Sequence, residues 1–167
     1  MNRQCRLLNT TKILHGPVQV PSSEKNFEPT EEEINKILDN FRAEYVSRSA
    51  KGNIDRLVEM YHPEAVIVHV GQFSKHGHAA IKEVLQKWVK ERPNITFEES
   101  KLRRFSAGGG EYLFSVGFLN FNFHDGKIVQ EKYESIYKLH EGKYLLYYDR
   151  NMYTVPVHLL RIFRNYG

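Results

Sequence analysis

Two residues stand out for their chemistry. His69 sits in the run Ala65-Val-Ile-Val-His-Val70, and Tyr45 lies near the end of a segment with helical periodicity. Histidine titrates near neutral pH and serves as a general base when a pocket tunes it. A tyrosine hydroxyl donates a hydrogen bond to developing negative charge. Each has a plainer reading. Tyr45 is also what a core tyrosine with a bonded hydroxyl looks like, and His69 would be a surface residue if its strand faced it outward. Trp88, Tyr133, Tyr137 and Tyr148 are aromatic residues suited either to lining a cavity or to packing a core.

Other candidates carry less. His76 and His78 straddle Gly77, but a zinc site needs three or four convergent ligands, and no cysteine or acid is placed beside them. The expectation is no metal and no cofactor. Cys5 is the single cysteine. It has no histidine or acid beside it in sequence and no cysteine partner, so neither a nucleophile nor a disulfide scaffold follows from it. Ser115 to Phe123 has the glycine and aromatics of an RNA-recognition strand but lacks the basic residue, and a helix comes first in the chain.

The elements that must hold these residues can be read in order. Thr30 with Glu31, Glu32 and Glu33 forms a capping box that starts a helix. Ile34, Ile37, Leu38, Phe41 and Tyr45 share its apolar face. Gly52 and Asn53 separate it from a short second helix, with Ile54, Leu57, Val58 and Tyr61 on one face and Pro63 as its stop. Residues 65–70 predict a strand. Gly71 and Gly77 bracket a turn, and a third helix runs from about His78 to Arg92 with Ile81, Val84, Leu85 and Trp88 buried. Four strands follow, at 95–105, 112–123, 128–139 and 144–153. The turns between them are Ser106 to Gly110, His124-Asp-Gly126 and Glu141-Gly142. Residues 158–163 predict a short helical tail. Helices first and then hairpin-linked strands imply an α+β fold, a strongly curved antiparallel sheet forming a cone closed by three helices.

Charge is unevenly spread. The chain has 24 basic and 20 acidic residues, a net charge of +4. Residues 1–29 form a tail with a net charge of +2, and residues 155–167 form a second tail, also +2. The body, residues 30–154, is neutral, which argues against a nucleic-acid-binding core. No apolar run reaches the roughly 20 residues that span a bilayer. Residues 1–29 fit either a mitochondrial transit peptide or an ordinary tail, so the expected compartment is the cytoplasm unless that segment targets the chain.

Four short runs, in order, resemble the nuclear-transport-factor-2-like superfamily and its SnoaL-like branch. They are Gly52 to His69 (GNIDRLVEMYHPEAVIVH), His76 to Ile81, Asp125 to Ile128 and Glu141 to Asp149, and together they cover about residues 31–153. The resemblance extends to the ketosteroid-isomerase members. It implies Tyr45, seven residues before Gly52, as the oxyanion donor. It places His69, eight residues after Met60-Tyr61, where those enzymes carry a catalytic aspartate. Their third acidic position has no counterpart between Tyr112 and His124, where Asn120 and Asn122 are the amides available. The residues themselves suggest a cavity lining of Trp88, Asn120, Tyr133 and Tyr148, with Asp149 exposed by the alternation of its strand. The resemblance also implies a homodimer through the sheet. Two functions follow: a small apolar ligand held in the cone, with or without acid–base chemistry, or a non-catalytic association domain.

Overall fold

The computed structural model describes residues 28–91, 96–122 and 128–153 of the 167-residue chain. The readings of residues 1–27, the Asp-Gly turn at 124–126 and the tail helix at 158–163 lie outside the described residues. Helix α1 spans Glu31–Ala50. Its capping box forms as expected: the Thr30 hydroxyl accepts from the Glu33 amide at 3.3 Å, and Glu33 accepts from the Thr30 amide at 2.8 Å. Gly52, at φ +63°, turns the chain. Asn53 then caps α2 (Ile54–Val58) by accepting from the Arg56 amide at 3.2 Å.

Tyr61 departs from its expected place on the second helix. It opens strand β1 (Tyr61–His69) instead. The reason is backbone pairing: Met60 C=O accepts from Leu146 N–H at 2.9 Å, and Tyr61 stands opposite Leu146. Pro63 has no N–H to give, and it falls in the irregular stretch between Tyr61 and Val66 where the ladder is interrupted. The expected turn at 71–77 contains a short strand, β2 (Phe73–His76), paired back on β1. Helix α3 (Gly77–Glu91) follows directly and buries Ile81, Val84 and Leu85.

Strands β3 (Thr96–Ala107), β4 (Tyr112–Asn122), β5 (Ile128–His140) and β6 (Lys143–Tyr153) form the expected meander. The six-stranded sheet has the order β2-β1-β6-β5-β4-β3. One pair is parallel, β1 with β6, and the other four are antiparallel. Register breaks at Ser100/Arg103 and Ile136/Tyr137 bend the long strands, and bulges of this kind strengthen twist and curvature. The fold is thus the expected α+β cone.

The main core packs α2 and α3 against β1, with Leu57, Ile67, Ile81, Leu85 and Leu146 buried. A second core joins Ile34 and Leu38 of α1 to Leu113 of β4. Ile67 has no exposed surface and sits where the helices meet the sheet. Ile67→Ala should cost about 2–5 kcal/mol through lost transfer energy and a residual cavity. Urea denaturation would measure it, with the midpoint falling and the slope unchanged.

Candidate active site in the cone

Strand alternation decides which residues face inward. Along β4, Leu113, Ser115 and Gly117 are buried, and along β5 the same holds for Glu131, Tyr133 and Ser135. These positions and their counterparts on β3 and β6 line a cavity of about 190 Å³ between the sheet and the helices. Phe41, Trp88, Leu119, Phe121 and Leu146 give it apolar walls. An apolar chamber holding a few placed polar groups is the usual form of a small-molecule site.

The polar groups fall at two ends. At one, Asp149 on β6 accepts from the Ser135 hydroxyl at 3.1 Å, with Asn151 also bonded to it. Asp149 is enclosed by protein, and the surface it keeps lines the cavity. Burial pushes its carboxyl up from 3.8 to about 6, against the opposing hydrogen bonds from Ser135 and Asn151. The Tyr45 and Tyr61 hydroxyls meet at 3.1 Å. Burial holds both well above the ordinary phenol range, and the Asp149 charge raises them further, so carboxylate and hydroxyls are within electrostatic reach.

At the other end, Glu99 on β3 is shared by three donors. Arg42 of α1 pairs with it, Arg104 Nη2 lies 3.2 Å away, and the Tyr133 hydroxyl donates at 2.6 Å. Tyr133 also meets Ser115 Oγ at 3.0 Å. Arg104 is almost fully buried, its side chain 4% exposed, and its Nη1 pairs with Asp39 at 2.6 Å. Gly117 makes room here: a Cβ on it would lie 3.0 Å from Ser100 O and 3.2 Å from the Tyr133 ring.

Tyr45, Trp88 and Tyr133 all line the cavity. His69 is buried at 2% exposure, but it stands behind the wall. Its Nε2 is 3.9 Å from Glu131, which does line the cavity, and its ring rests near Tyr153 and Phe73. Asn120 and Tyr148 lie on the opposite face of the sheet. Asn120 there bonds Ser100 Oγ and Gln130, and Tyr148 stands across from Ile136. Asp149, assigned to the exposed parity in the sequence, faces inward. The two residues of β6 exchange roles because Tyr147 is skipped in the register at Ile136/Tyr137. Sequence reading also missed Glu99, Arg42, Arg104 and Glu131. The one available signal was period two on β5, where Glu131 and Ser135 share parity with Tyr133 and Tyr137.

The elements together define a cone-shaped α+β fold. No family model matches the chain, and no curated protein matches it. Solved structures do. One is a cystatin-like protein of unknown function from Nostoc punctiforme, with TM-score 0.65 and 8% identity, covering 78% of this chain and 98% of that one. Another is a nuclear-transport-factor-2-like protein of unknown function from Pseudomonas putida, with TM-score 0.65, 11% identity and coverage of 78% and 92%. A third, from Streptomyces avermitilis, is provisionally named a dehydratase of the same family, with TM-score 0.62, 9% identity and coverage of 76% and 100%. The chain has the nuclear-transport-factor-2-like, cystatin-like fold, as the sequence resemblance implied. No helix among the described residues is long and apolar enough to cross a membrane.

The raised pKa of Asp149 has a thermodynamic sign. Folding favours its neutral form, so its contribution to stability is full below about pH 4 and is lost as pH rises through about 6. Asp149→Asn should change stability little at the acid end and raise it by up to about 3 kcal/mol near pH 8. Melting curves across that range check this, and a gain confined to low pH would contradict the burial of the carboxyl.

Proposed function

We propose that the cone binds a small, largely apolar molecule bearing an oxygen function and moves a proton on it. Asp149 is the acid–base group, and the Tyr45 hydroxyl, held by that of Tyr61, stabilises negative charge as it develops. The observation that carries this is the Asp149 carboxyl in the cavity wall, pushed to about 6 by burial, within electrostatic reach of the Tyr45 hydroxyl that lines the same cavity. A general base works best with its pKa near the operating pH. His69 then acts at one remove, steadying Glu131 in the wall. Two fold neighbours are provisionally named dehydratases, and loss of water is a reaction that moves a proton.

Solvent-deuterium incorporation into single-ring hydroxyketones, followed by NMR, tests this without knowledge of the product. Exchange should rise with pH through about 6. It should fall about 100-fold or more in Asp149→Asn and about 10-fold or more in Tyr45→Phe. Exchange that ignores Asp149→Asn would defeat the reading.

A second reading, a homodimeric association domain, has its own support on the outer face of the sheet. Phe105 and Phe114 stack at 4.8 Å with rings nearly parallel, and Phe105 is 43% exposed. Apolar surface of this kind seeks a partner. Phe114→Glu should convert a dimer to a monomer in sedimentation velocity while leaving ligand binding in the cone unchanged.

A further inference from the structure

Resting on the reading of the cone as a ligand chamber, we infer that its ligand is a single-ring ketone carrying a hydroxyl, and that this hydroxyl donates to the facing oxygens of Ser115 and Ser135 on the chamber floor. Each hydroxyl of the floor has one hydrogen to give. Tyr133 gives its own to Glu99 at 2.6 Å. Glu99 is held by Arg42 and Arg104, and an ionised carboxylate only accepts. Tyr133 therefore has no hydrogen left for Ser115, whose Oγ lies 3.0 Å from the same phenol oxygen. Ser115 must be the donor in that bond. On the neighbouring strand, Ser135 gives its hydrogen to Asp149 at 3.1 Å. The two serines thus turn their hydrogens in opposite directions, one toward the Glu99 end and one toward Asp149.

What remains between them is a pair of acceptors. Ser115 and Ser135 stand directly opposite each other on β4 and β5, both buried and both lining the cavity. Side chains so placed have Cβ atoms about 5 Å apart. With both hydrogens turned away, the two oxygens offer lone pairs and have nothing to give. Among the described residues, no side chain donates to either of them. A ketone or ether oxygen seated there would set lone pair against lone pair. A fluorine or methyl would strip the serine oxygens of water and return no bond, and a buried acceptor left unmet is costly. An O–H answers the site in both respects.

The other end of the ligand has the opposite requirement. The Tyr45 and Tyr61 hydroxyls bring two hydrogens and spend one on their mutual bond at 3.1 Å. With Tyr61 donating, the hydrogen of Tyr45 is left for a ligand acceptor, and Tyr45 lines the cavity. A carbonyl meets it, beside Asp149, which adjoins Ser135 across the β5–β6 pair. The ligand therefore accepts at one end and donates at the other. Size sets what joins the two. A cavity on the order of 150 Å³ admits benzene, and one of about 190 Å³ takes a single ring with small polar substituents. Phe41, Trp88 and Phe121 supply aromatic walls for that ring.

A matched pair of probes tests this. 4-Hydroxyacetophenone and 4-fluoroacetophenone are close in size, and only the first has a hydrogen to donate. Calorimetric titration at neutral pH should show the hydroxyl compound binding about tenfold tighter. Ser115→Ala and Ser135→Ala should each cut that preference, and the double variant should erase it. The fluoro compound makes no use of the serine oxygens, so its binding to the double variant reports an intact chamber. Ser115→Cys keeps the bulk of the side chain and offers only a weak acceptor, so it should cut the preference as Ser115→Ala does, and it decides the matter if the double variant fails to fold. Equal affinity for the two probes, or a preference that survives these variants, overturns the inference alone. Failure of both probes to bind overturns it together with the ligand-chamber reading beneath it. Deuterium uptake at the acetyl methyl, followed on the same samples, keeps the proton-transfer reading separate: a preference without exchange upholds the inference and defeats that reading.

Discussion

The Asp149 end of the chamber depends on the parallel pairing of β1 with β6. These strands are separated in sequence by a helix and the whole meander, yet Ile67 stands opposite Asp149 and His69 opposite Asn151. That ladder ties the helical layer to the far side of the sheet. Through it α2 and α3, packed on β1, come to lie over the inward faces of β5 and β6. Tyr61 illustrates the effect: drawn into the ladder beside Leu146, it sends its hydroxyl to Tyr45 on α1. Without the pairing the sheet would present one bare face and the tyrosines would have no common neighbour.

The chamber sets strong polar groups against apolar walls, and the two ends solve the cost differently. Burying an ionised group is expensive unless it is paired and hydrogen-bonded. At the Glu99 end the solution is saturation, with one carboxylate held by two guanidiniums and a phenol. At the Asp149 end it is neutralisation, with the carboxyl carrying its proton into the range near neutrality. A third arrangement spans the wall, where Glu131 in the lining faces His69 behind it at nearly zero exposure. Fixed charge and adjustable charge are thus kept apart in a single small space.

Much of the fold was legible because it rests on local rules. The capping box at Thr30, the apolar faces of α1 and α3 and the strands of the meander all follow from periodicity and turn chemistry. What could not be read depends on contacts far apart in sequence. Tyr61 looked helical by spacing until the distant Leu146 pulled it into a strand. Tyr148 and Asp149 exchange faces because of one residue left out of register, and no local pattern marks such a bulge. Tyr45 was visible as an inward tyrosine, whereas Arg42, one turn away on the same helix, looked like an ordinary solvated charge. Its meaning comes from Glu99, which a bend in β3 brings beneath it.

Gly117 carries a consequence beyond its place in the strand. It lies under the ring of Tyr133, and the volume it leaves empty is space the chamber keeps. An alanine there would press on a phenol that also anchors Glu99, so the size of the room and the posture of its charged wall are governed by one position. A lineage could retune which molecules enter by changing a single codon for a residue that never touches them.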